Sequence, residues 1–402
     1  MRKVLFISYD GLTDHLGQSQ VLPYVIGLSQ LGYQFTILST EKPENYQKRQ
    51  EKIRALISPY NIDWQFVFYK RQLPVFSALQ NIRQLRRKAF QLMRKQNFDI
   101  IHGRSHIGAL VGSKLKQVFP TLKFIFDMRG FWADERVDGG LWNLKNPIYK
   151  FIYQRLKKQE KDLLLSADYT ISLTHNAESV IHSWKGLSHI PIAVIPCCVD
   201  VDLFDYQKYP TKPSDTPFTL SYLGSIGTWY LLDEMLHFFK LLLSYKPQAE
   251  FLFISGEPPE YILARAEALQ IPQKHIRIQS AERVEVPRLL AESDVSIFFI
   301  KNAFSKKASS ATKMGEILAM GIPIIANTQM GDQDFLFEKY TCGTLIDQFS
   351  PTTYQKVIQN IDALLHIKKD ALRQTALSYF SLQEGIQAYL IVYQKVLTMS
   401  NI

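Results

Sequence analysis

The sequence predicts an α/β protein made of two Rossmann-like β/α series, and three observations carry that prediction. Short apolar runs bounded by turn residues alternate with helical patterns, beginning with a strand, a glycine-bearing loop, a helix and a second strand within residues 3–39. A polar, proline-rich stretch at 206–217 (YQKYPTKPSDTP) interrupts the alternation near mid-chain. A second β/α series opens directly after it, at 218–224. With 402 residues the chain has the length of two domains, placed here at 1–200 and 201–381, followed by a last helix within 382–402.

Composition sets the class. The chain is 46% hydrophobic, 12% aromatic and 21% charged, which suits a globular protein with a sizeable core. No apolar run approaches the ~20 residues of a spanning helix. The start, MRKVLFISYDG, is basic, but its apolar run ends at Asp10, too soon for a signal peptide. Cys197, Cys198 and Cys342 offer neither a disulfide framework nor zinc spacing, so a cytoplasmic location is expected. The net charge of +10 is uneven: residues 1–200 hold 28 Lys+Arg and 16 Asp+Glu (+12), and residues 201–402 hold 19 and 21 (−2). The first half therefore suits an anionic membrane on its inner face, with a plain solvated basic surface as the other reading.

In chain order, strands are expected at 3–8 and 34–39, joined by the loop 9–20 (YDGLTDHLGQSQ) and a helix that Gly32 ends. The loop lacks the GxGxxG fingerprint, but it lies at the carboxyl end of the sheet, where such folds bind ligands. Gly17 and Gln18 are thereby candidates to face a substrate, against a plain helix-entry glycine. Residues 64–69 read as a strand. Residues 77–96 read as a helix with Leu79, Ile82, Leu85, Phe90, Leu92 and Met93 at roughly helical spacing. Arg83, Arg86, Arg87, Lys88, Arg94 and Lys95 supply its charge. It fits either a membrane surface or a sheet-packed helix with a solvated basic face. No aromatic-interleaved strand accompanies this charge, so nucleic acid is not expected.

The next strand, 98–102, runs into HGRSH (His102, Arg104, His106), then a helix at 107–118 and a strand at 123–126. That strand ends in DMRGFWADERVDGG. Asp127, Arg129, Asp134, Glu135 and Asp138 surround Gly130, Phe131 and Trp132. Aromatic faces stack on sugar rings and carboxylates accept hydroxyl protons, so the loop reads as a sugar-handling surface, against a loop with internal ion pairs. A helix at 148–167, a strand at 168–173, a helix at 175–184 and a strand at 193–196 complete the first series.

In the second series, Gly224, Ser225 and Gly227 follow the strand 218–224 and lead to a helix carrying Leu231 to Leu243. This is a weaker phosphate-loop signal than GxxxxGK[ST]. Strands at 250–255, 276–280 and 294–300, with helices at 261–270 and 285–292, lead to the richest stretch, SKKASSATKMGEILAMGIPIIANTQMGD at 305–332. Here a lysine-bearing loop enters a short helix that stops at Gly321 and Pro323 before a strand at 324–327. Helix N-terminal amides favour an anion, and Lys306, Lys307 and Lys313 add positive charge. Glu316, one turn in, suits ribose hydroxyls, with a surface Glu on an amphipathic helix as the alternative. A strand at 344–346 and helices at 354–365 and 382–399 close the chain.

The two β/α series, VIPCCVDVDLF at their junction, YLGSIGTWY, SSATKMGEILAMGIPIIAN and the opening SYDGLTDHLGQSQVLPYVIGLSQLG together resemble family 4 glycosyltransferases of the GT-B fold. The resemblance covers essentially the whole chain. It implies two Rossmann-like domains facing each other across a cleft, with the last helix crossing back to the N-terminal domain. It further implies a UDP- or GDP-linked sugar on the C-terminal domain, a glycan or lipid-linked acceptor on the N-terminal domain, retention of configuration and no metal cofactor. By the same resemblance Glu316 binds ribose, Arg283 and Val284 hold the base, and Gly224, Ser225, Lys306, Ser309, Ser310 and Thr312 line the donor. Beside these, Asp127, Arg129 and Lys313 are the catalytic candidates, and Gln18, His102, Asp134 and Glu135 the acceptor-side candidates.

The chain departs from the family pattern in three places. Ala308 stands where the family's first Glu contacts the sugar, Asp127 where many relatives place a His, and the usual Arg and Lys after the glycine loop are missing. A subset reading SxPTKxGE is matched except for Ala311 in place of Pro. Asp200–Asp202 and Asp332–Asp334 spell DxD but lie outside any expected metal site. A nucleotide-sugar epimerase of similar architecture, and a nucleotide-sugar-binding protein without turnover, are the rival functions.

Overall fold

The structure is a computed structural model that describes residues 1–70, 74–210, 212–213 and 215–399. It divides into two compact units, one made of residues 1–196 with 382–402 and the other of 197–381.

The first unit holds a seven-stranded sheet: β1 Arg2–Ser8, β2 Tyr33–Glu41, β3 Ile62–Phe68, β4 Ile100–Arg104, β5 Lys123–Asp127, β6 Tyr169–Ser172 and β7 Ile192–Val194. Their order is β3-β2-β1-β4-β5-β6-β7, and every pairing is parallel. Parallel strands covered on both faces read as unbroken apolar runs, and β4 and β5 are buried at all five of their positions. The order reverses between β1 and β4, which places a topological switch point at the ends of those strands. There the helix Ser105–Val118 packs hard on the sheet: a Cβ on Gly108 would lie 2.5 Å from the carbonyl oxygen of Ile7.

The helix Pro74–Lys95 decides between the two readings of the basic segment. Leu85, Ala89, Leu92 and Met93 are buried, and the helix packs on β2, β3 and the helix Ser105–Val118. Arg83, Arg86, Arg87, Arg94 and Lys95 face solvent. Its apolar stripe thus packs largely on the sheet, with Leu79 left 55% exposed. Several elements have no counterpart in the sequence reading, the helices Trp132–Asp138 and Gln333–Lys339 and two longer ones among them. The helix Pro43–Ile57 buries only Ile53 and Ile57, too few to leave a periodic signal. The helix Lys369–Phe380 packs on the helix Thr312–Ala319.

The last helix, Leu382–Thr398, belongs to the first unit and packs on β5 and on the helix Leu22–Gln30. Gly27 makes that approach possible, since a Cβ there would stand 2.3 Å from Cδ1 of Ile386. Ile386, Tyr389, Val392, Tyr393 and Val396 are buried at i, i+3, i+4 spacing along it.

The second unit holds a six-stranded parallel sheet: β8 Thr219–Leu223, β9 Glu250–Ile254, β10 Ile276–Gln279, β11 Val295–Phe298, β12 Ile324–Asn327 and β13 Gly343–Ile346. The order is β10-β9-β8-β11-β12-β13, so counted from β8 it is again the doubly wound 3-2-1-4-5-6. Its switch point lies between β8 and β11. Among the described residues no helix is long and apolar enough to cross a membrane.

Candidate functional site

The richest polar assembly of the second unit lies at the carboxyl end of β8 and β11. β8 ends in Gly224, whose φ of +104° suits glycine and turns the chain away from the strand. The helix Thr312–Ala319 enters the same place. A Cβ on Gly224 would lie 3.2 Å from Nζ of Lys313, so a side chain there would press on the ammonium. Lys313 is buried; its Nζ donates to the hydroxyl of Tyr222 (3.0 Å) and lies over the rings of Tyr230 (3.6 Å) and Tyr222 (4.1 Å). Burial pushes its pKa well below the ordinary lysine value, and the carboxylate of Glu316 opposes that only in part. Glu316 itself is engaged by Arg283, 2.6 Å from its Oε1. Among the described residues Lys313 has no carboxylate within ion-pair distance. It is a cation held in place by aromatic faces and a phenol.

The neighbouring loop supplies a second cation. Lys306 is buried with Nζ 3.7 Å from the Trp229 ring centroid. Two amides of the glycine loop are already used: that of Gly224 donates to Ile254 (2.9 Å), and that of Ile226 donates to the carboxylate of Glu257 (3.2 Å). Positive charge at this site therefore comes chiefly from lysines rather than loop amides. Ser225 is exposed, and its carbonyl accepts from the Tyr222 hydroxyl (2.7 Å). The Ser310 hydroxyl accepts from the Cys197 amide (3.1 Å). Ser309 and Thr312 are half-buried beside it, and Val284 is exposed next to Arg283. Gly315 lets this helix seat, because a Cβ would come within 2.8 Å of Phe380.

At the first unit's switch point the charges are paired internally. Asp127, at the end of β5, is 2% exposed. It accepts from the Tyr389 hydroxyl (3.2 Å), lies 3.4 Å from Nε2 of His102 and 3.4 Å from Nη1 of Arg129. Burial would raise its pKa, but Arg129, His102 and Arg104 together hold it well below the carboxylate range. Burial lowers the His102 pKa, so the ring is neutral; its Nε2–H donates to Asp127 and its Nδ1 accepts from the Tyr393 hydroxyl (2.8 Å). Arg104 pairs with Asp10 at 2.6 Å. Asp127 and His102, expected as substrate contacts, are buried in this structure, with their polar atoms turned inward onto Tyr389, Tyr393 and Arg129.

Asp134 is also turned inward. Its two oxygens accept from the Tyr153 hydroxyl and from Nζ of Lys157, each at 2.7 Å, and it is buried. The aromatic loop is held by these internal pairs, not open as a sugar platform: Phe131 is fully buried, and Trp132 is stacked on His106 at 5.2 Å and covered by Arg136 at 4.6 Å. Glu135 is half-buried beside Gly130. Lys157 also pairs with the buried Glu160, whose pKa burial pushes up to about 7 against the pull of Lys157.

Gly17 is a packing glycine, since a Cβ would lie 2.1 Å from the carbonyl oxygen of Gly11. Gln18 reaches back to the Thr13 carbonyl (3.3 Å). The loop they follow is fixed by a residue the sequence reading missed. The buried carboxylate of Glu41 accepts from the amides of Leu12 (2.7 Å) and Thr13 (3.2 Å) and from the hydroxyls of Thr13 and Ser39. A carboxylate closing the apolar run FTILSTE was the available signal. The two DxD pairs are also engaged locally. Asp200 accepts from the amides of Asp202 and Leu203, Asp332 from the Tyr379 hydroxyl and Asp334 from the Gln329 amide. Among the described residues no three His, Cys, Asp or Glu side chains gather as a metal site.

Comparison with known proteins now bears on this geometry. Residues 20–203 match the Glycosyltransferase Family 4 model, and residues 205–375 match the Glycosyl transferases group 1 model. No curated protein matches the sequence significantly. Solved structures similar in fold include sucrose-phosphate synthase from Thermosynechococcus elongatus (13% identical, all of both chains covered, TM-score 0.75). A glycosyltransferase from Rickettsia africae is 18% identical over 99% of this chain and all of its own, with a TM-score of 0.67. Anabaena HepE in complex with UDP is 13% identical over 98% of this chain and all of its own, with a TM-score of 0.69. The two models meet at the junction of the two β/α series and leave only the ends of the chain and residue 204 uncovered, so the chain is a GT-B glycosyltransferase of the family 4 type.

Proposed function

We propose that the protein transfers a hexosyl unit from a nucleotide diphosphate sugar to an acceptor hydroxyl of a glycan or lipid-linked saccharide, with retention of configuration, in glycoconjugate synthesis. The observation that carries the reading is the buried Lys313 ammonium against Gly224 at the second unit's switch point, one helical turn from Glu316. The complex of Anabaena HepE with UDP, on the same fold, supports a uridine nucleotide as the first donor to try.

In this reading the diphosphate lies against Gly224 and Ser225, where Lys313, Lys306 and the first amides of the helix Thr312–Ala319 offset its charge as the sugar leaves. One well-placed donor of this kind is worth about 3 kcal/mol at the transition state. Glu316 accepts the ribose hydroxyls and Arg283 with Val284 borders the base; the Arg283 pair pre-orients the carboxylate. Arg129, half inside the first unit, and Gln18 and Glu135 at its surface are the residues proposed to face the acceptor. Asp127, His102 and Asp134 act behind them by fixing backbone positions. No covalent intermediate on the protein is invoked, and no step requires a metal.

The test is a panel of UDP- and GDP-linked hexoses, read first by thermal shift and then by turnover on lipid-linked saccharides, with the product anomer assigned by NMR. One donor raising the melting temperature and giving a product of unchanged anomeric configuration is the expected result. Epimerisation of the donor without an acceptor, or nucleotide binding with no transfer to any acceptor, would overturn it.

A further inference from the structure

Apart from Met1, the most exposed large apolar side chains among the described residues of the first unit are clustered in one short stretch. Leu141 is 61% exposed, Ile148 68% and Phe151 65%, with Tyr149 also at the surface. They lie in the turn after the helix Trp132–Asp138 and on the first turns of the helix Pro147–Ser166. Ile148 and Phe151 are three apart and share a helix face. The stretch is well built. Asn146 caps the helix by accepting from the Ile148 amide (2.9 Å), Pro147 opens it, and the amide of Trp142 donates to Arg136 (3.0 Å). The same helix is anchored at its far end, where Glu160, Leu163 and Leu164 are buried. A 20-residue helix is about 30 Å long, so its first turns stand well away from that anchor.

Charge identifies what covers this face. Residues 139–159 contain Lys145, Lys150, Arg155, Lys157 and Lys158 and no Asp or Glu. Lys157 is turned inward to Asp134, but Lys145, Lys150, Arg155 and Lys158 are exposed around the apolar side chains. A protein partner of ordinary surface would leave these cations unmatched. An anionic bilayer satisfies both features: the apolar side chains enter the headgroup and acyl boundary while the lysine and arginine heads stay among lipid phosphates. The longer basic helix Pro74–Lys95 offers less of the apolar half of this design, because its stripe is largely packed on the sheet and, among the described residues, Leu79 is its one exposed large apolar side chain.

We propose that residues 141–158 are an interfacial anchor that seats the first unit on an anionic membrane through Leu141, Ile148 and Phe151, ringed by Lys145, Lys150, Arg155 and Lys158. The proposal rests on the transferase reading only for its purpose, which is to bring a lipid-linked acceptor to the enzyme.

The test is co-sedimentation of the whole protein, without donor, with vesicles of equal parts phosphatidylglycerol and phosphatidylcholine, and with phosphatidylcholine alone. The wild type should bind the anionic vesicles, less so at high salt, and hardly bind the neutral ones. Ile148→Ser with Phe151→Ser should weaken the anionic binding about tenfold or more, since each removes most of a buried apolar side chain. Lys150→Glu with Arg155→Glu should abolish the preference for anionic lipid. An unchanged melting temperature and far-UV circular dichroism spectrum show that the variants are folded. Absence of wild-type binding at low salt overturns the proposal, as does serine-variant binding equal to wild type. A dimer that the serine variant dissolves would assign the face to a second copy of the chain instead. None of these readouts uses donor or turnover, so failure here is separate from failure of the transferase reading.

Discussion

Replacing Lys313 by Met should make the protein more stable and a worse enzyme. Met nearly preserves the length and volume of the side chain and removes the charge. In the folded protein that charge is buried between the rings of Tyr222 and Tyr230, with one phenol oxygen as its hydrogen-bond partner. A buried ion without a counter-ion is a net cost, and replacing such a group by an apolar one of similar size gains roughly 1–2 kcal/mol. Protonation gives a second, independent signature. The folded-state pKa of Lys313 is lowered while the unfolded chain keeps the ordinary value near ~10.4, so between the two the unfolded state binds more protons. Wild-type stability should therefore rise with pH through that alkaline window, and Lys313→Met should lose that slope. For function, removing one charge from the departing diphosphate should lower kcat/KM about 100-fold, equivalent to ~3 kcal/mol. Urea unfolding at several pH values, calorimetry against the nucleotide diphosphate and steady-state turnover measure all three. Unchanged donor affinity and turnover would remove Lys313 from the site. A loss of stability above about 2 kcal/mol would show the ammonium to be structural glue rather than a waiting partner for an anion.

Glu316→Gln should weaken nucleotide diphosphate binding about tenfold, and the weakening should vanish for a 2′,3′-dideoxy nucleotide; an equal loss for both would place the carboxylate away from the ribose. Asp127→Asn should cost about 3 kcal/mol, because it leaves Arg129 without its buried counter-charge. The depressed pKa of Asp127 means that its contribution is present above the unfolded carboxylate pKa and lost as pH falls, so wild type and variant should converge in urea unfolding under acid. Glu160→Gln should stabilise the protein at pH 8 and change little near pH 4. The folded pKa of Glu160 is raised to about 7, so the folded state binds the extra proton and stability falls as pH rises through that interval. The effect is at most about 3 kcal/mol, and a pH profile of melting temperature with the same slope in both proteins would count against it.

Legibility in the sequence followed distance along the chain. Strands such as Arg2–Ser8 and Thr219–Leu223 could be read because a parallel strand covered on both faces leaves an apolar run that nothing else requires. Lys313 and Glu316 could be read because both lie on one turn of one helix. The helix Pro43–Ile57 could not, since it touches the core through two side chains and is otherwise charged. Nor could the partners that decide what the polar residues do. Arg283 meets Glu316 across 33 positions, Tyr389 meets Asp127 across 262 and Tyr393 meets His102 across 291. Asp134 shows how this misleads. An acidic residue between aromatics reads as a sugar contact until Lys157 and Tyr153, a helix away, are seen to take both of its oxygens.

The two sheets share an order and a switch point, yet they treat charge in opposite ways, and that difference favours the second sheet as the proposed donor site. At the carboxyl end of the first sheet Arg104 is paired with Asp10, Arg129 with Asp127, and the loop amides of Leu12 and Thr13 with Glu41. An anion arriving there would compete with carboxylates already in contact. At the same end of the second sheet, Glu316 is taken by Arg283 and Glu257 by a loop amide, while Lys313 and Lys306 lie on aromatic faces. At Lys313 the aromatic faces hold the ammonium with no carboxylate at ion-pair distance among the described residues, so its field extends beyond them. Two unit charges ~4 Å apart near a protein surface attract by about 4 kcal/mol, enough for one such lysine to direct a diphosphate to the second sheet rather than the first. On the proposed donor site, the charge of the missing Arg and Lys after the glycine loop would enter from the helix Thr312–Ala319 and from the turn that precedes it. Ala308, buried where the family's sugar-contacting Glu would stand, fits the same account, because a carboxylate close to those lysines would pair with them and weaken the hold on phosphate.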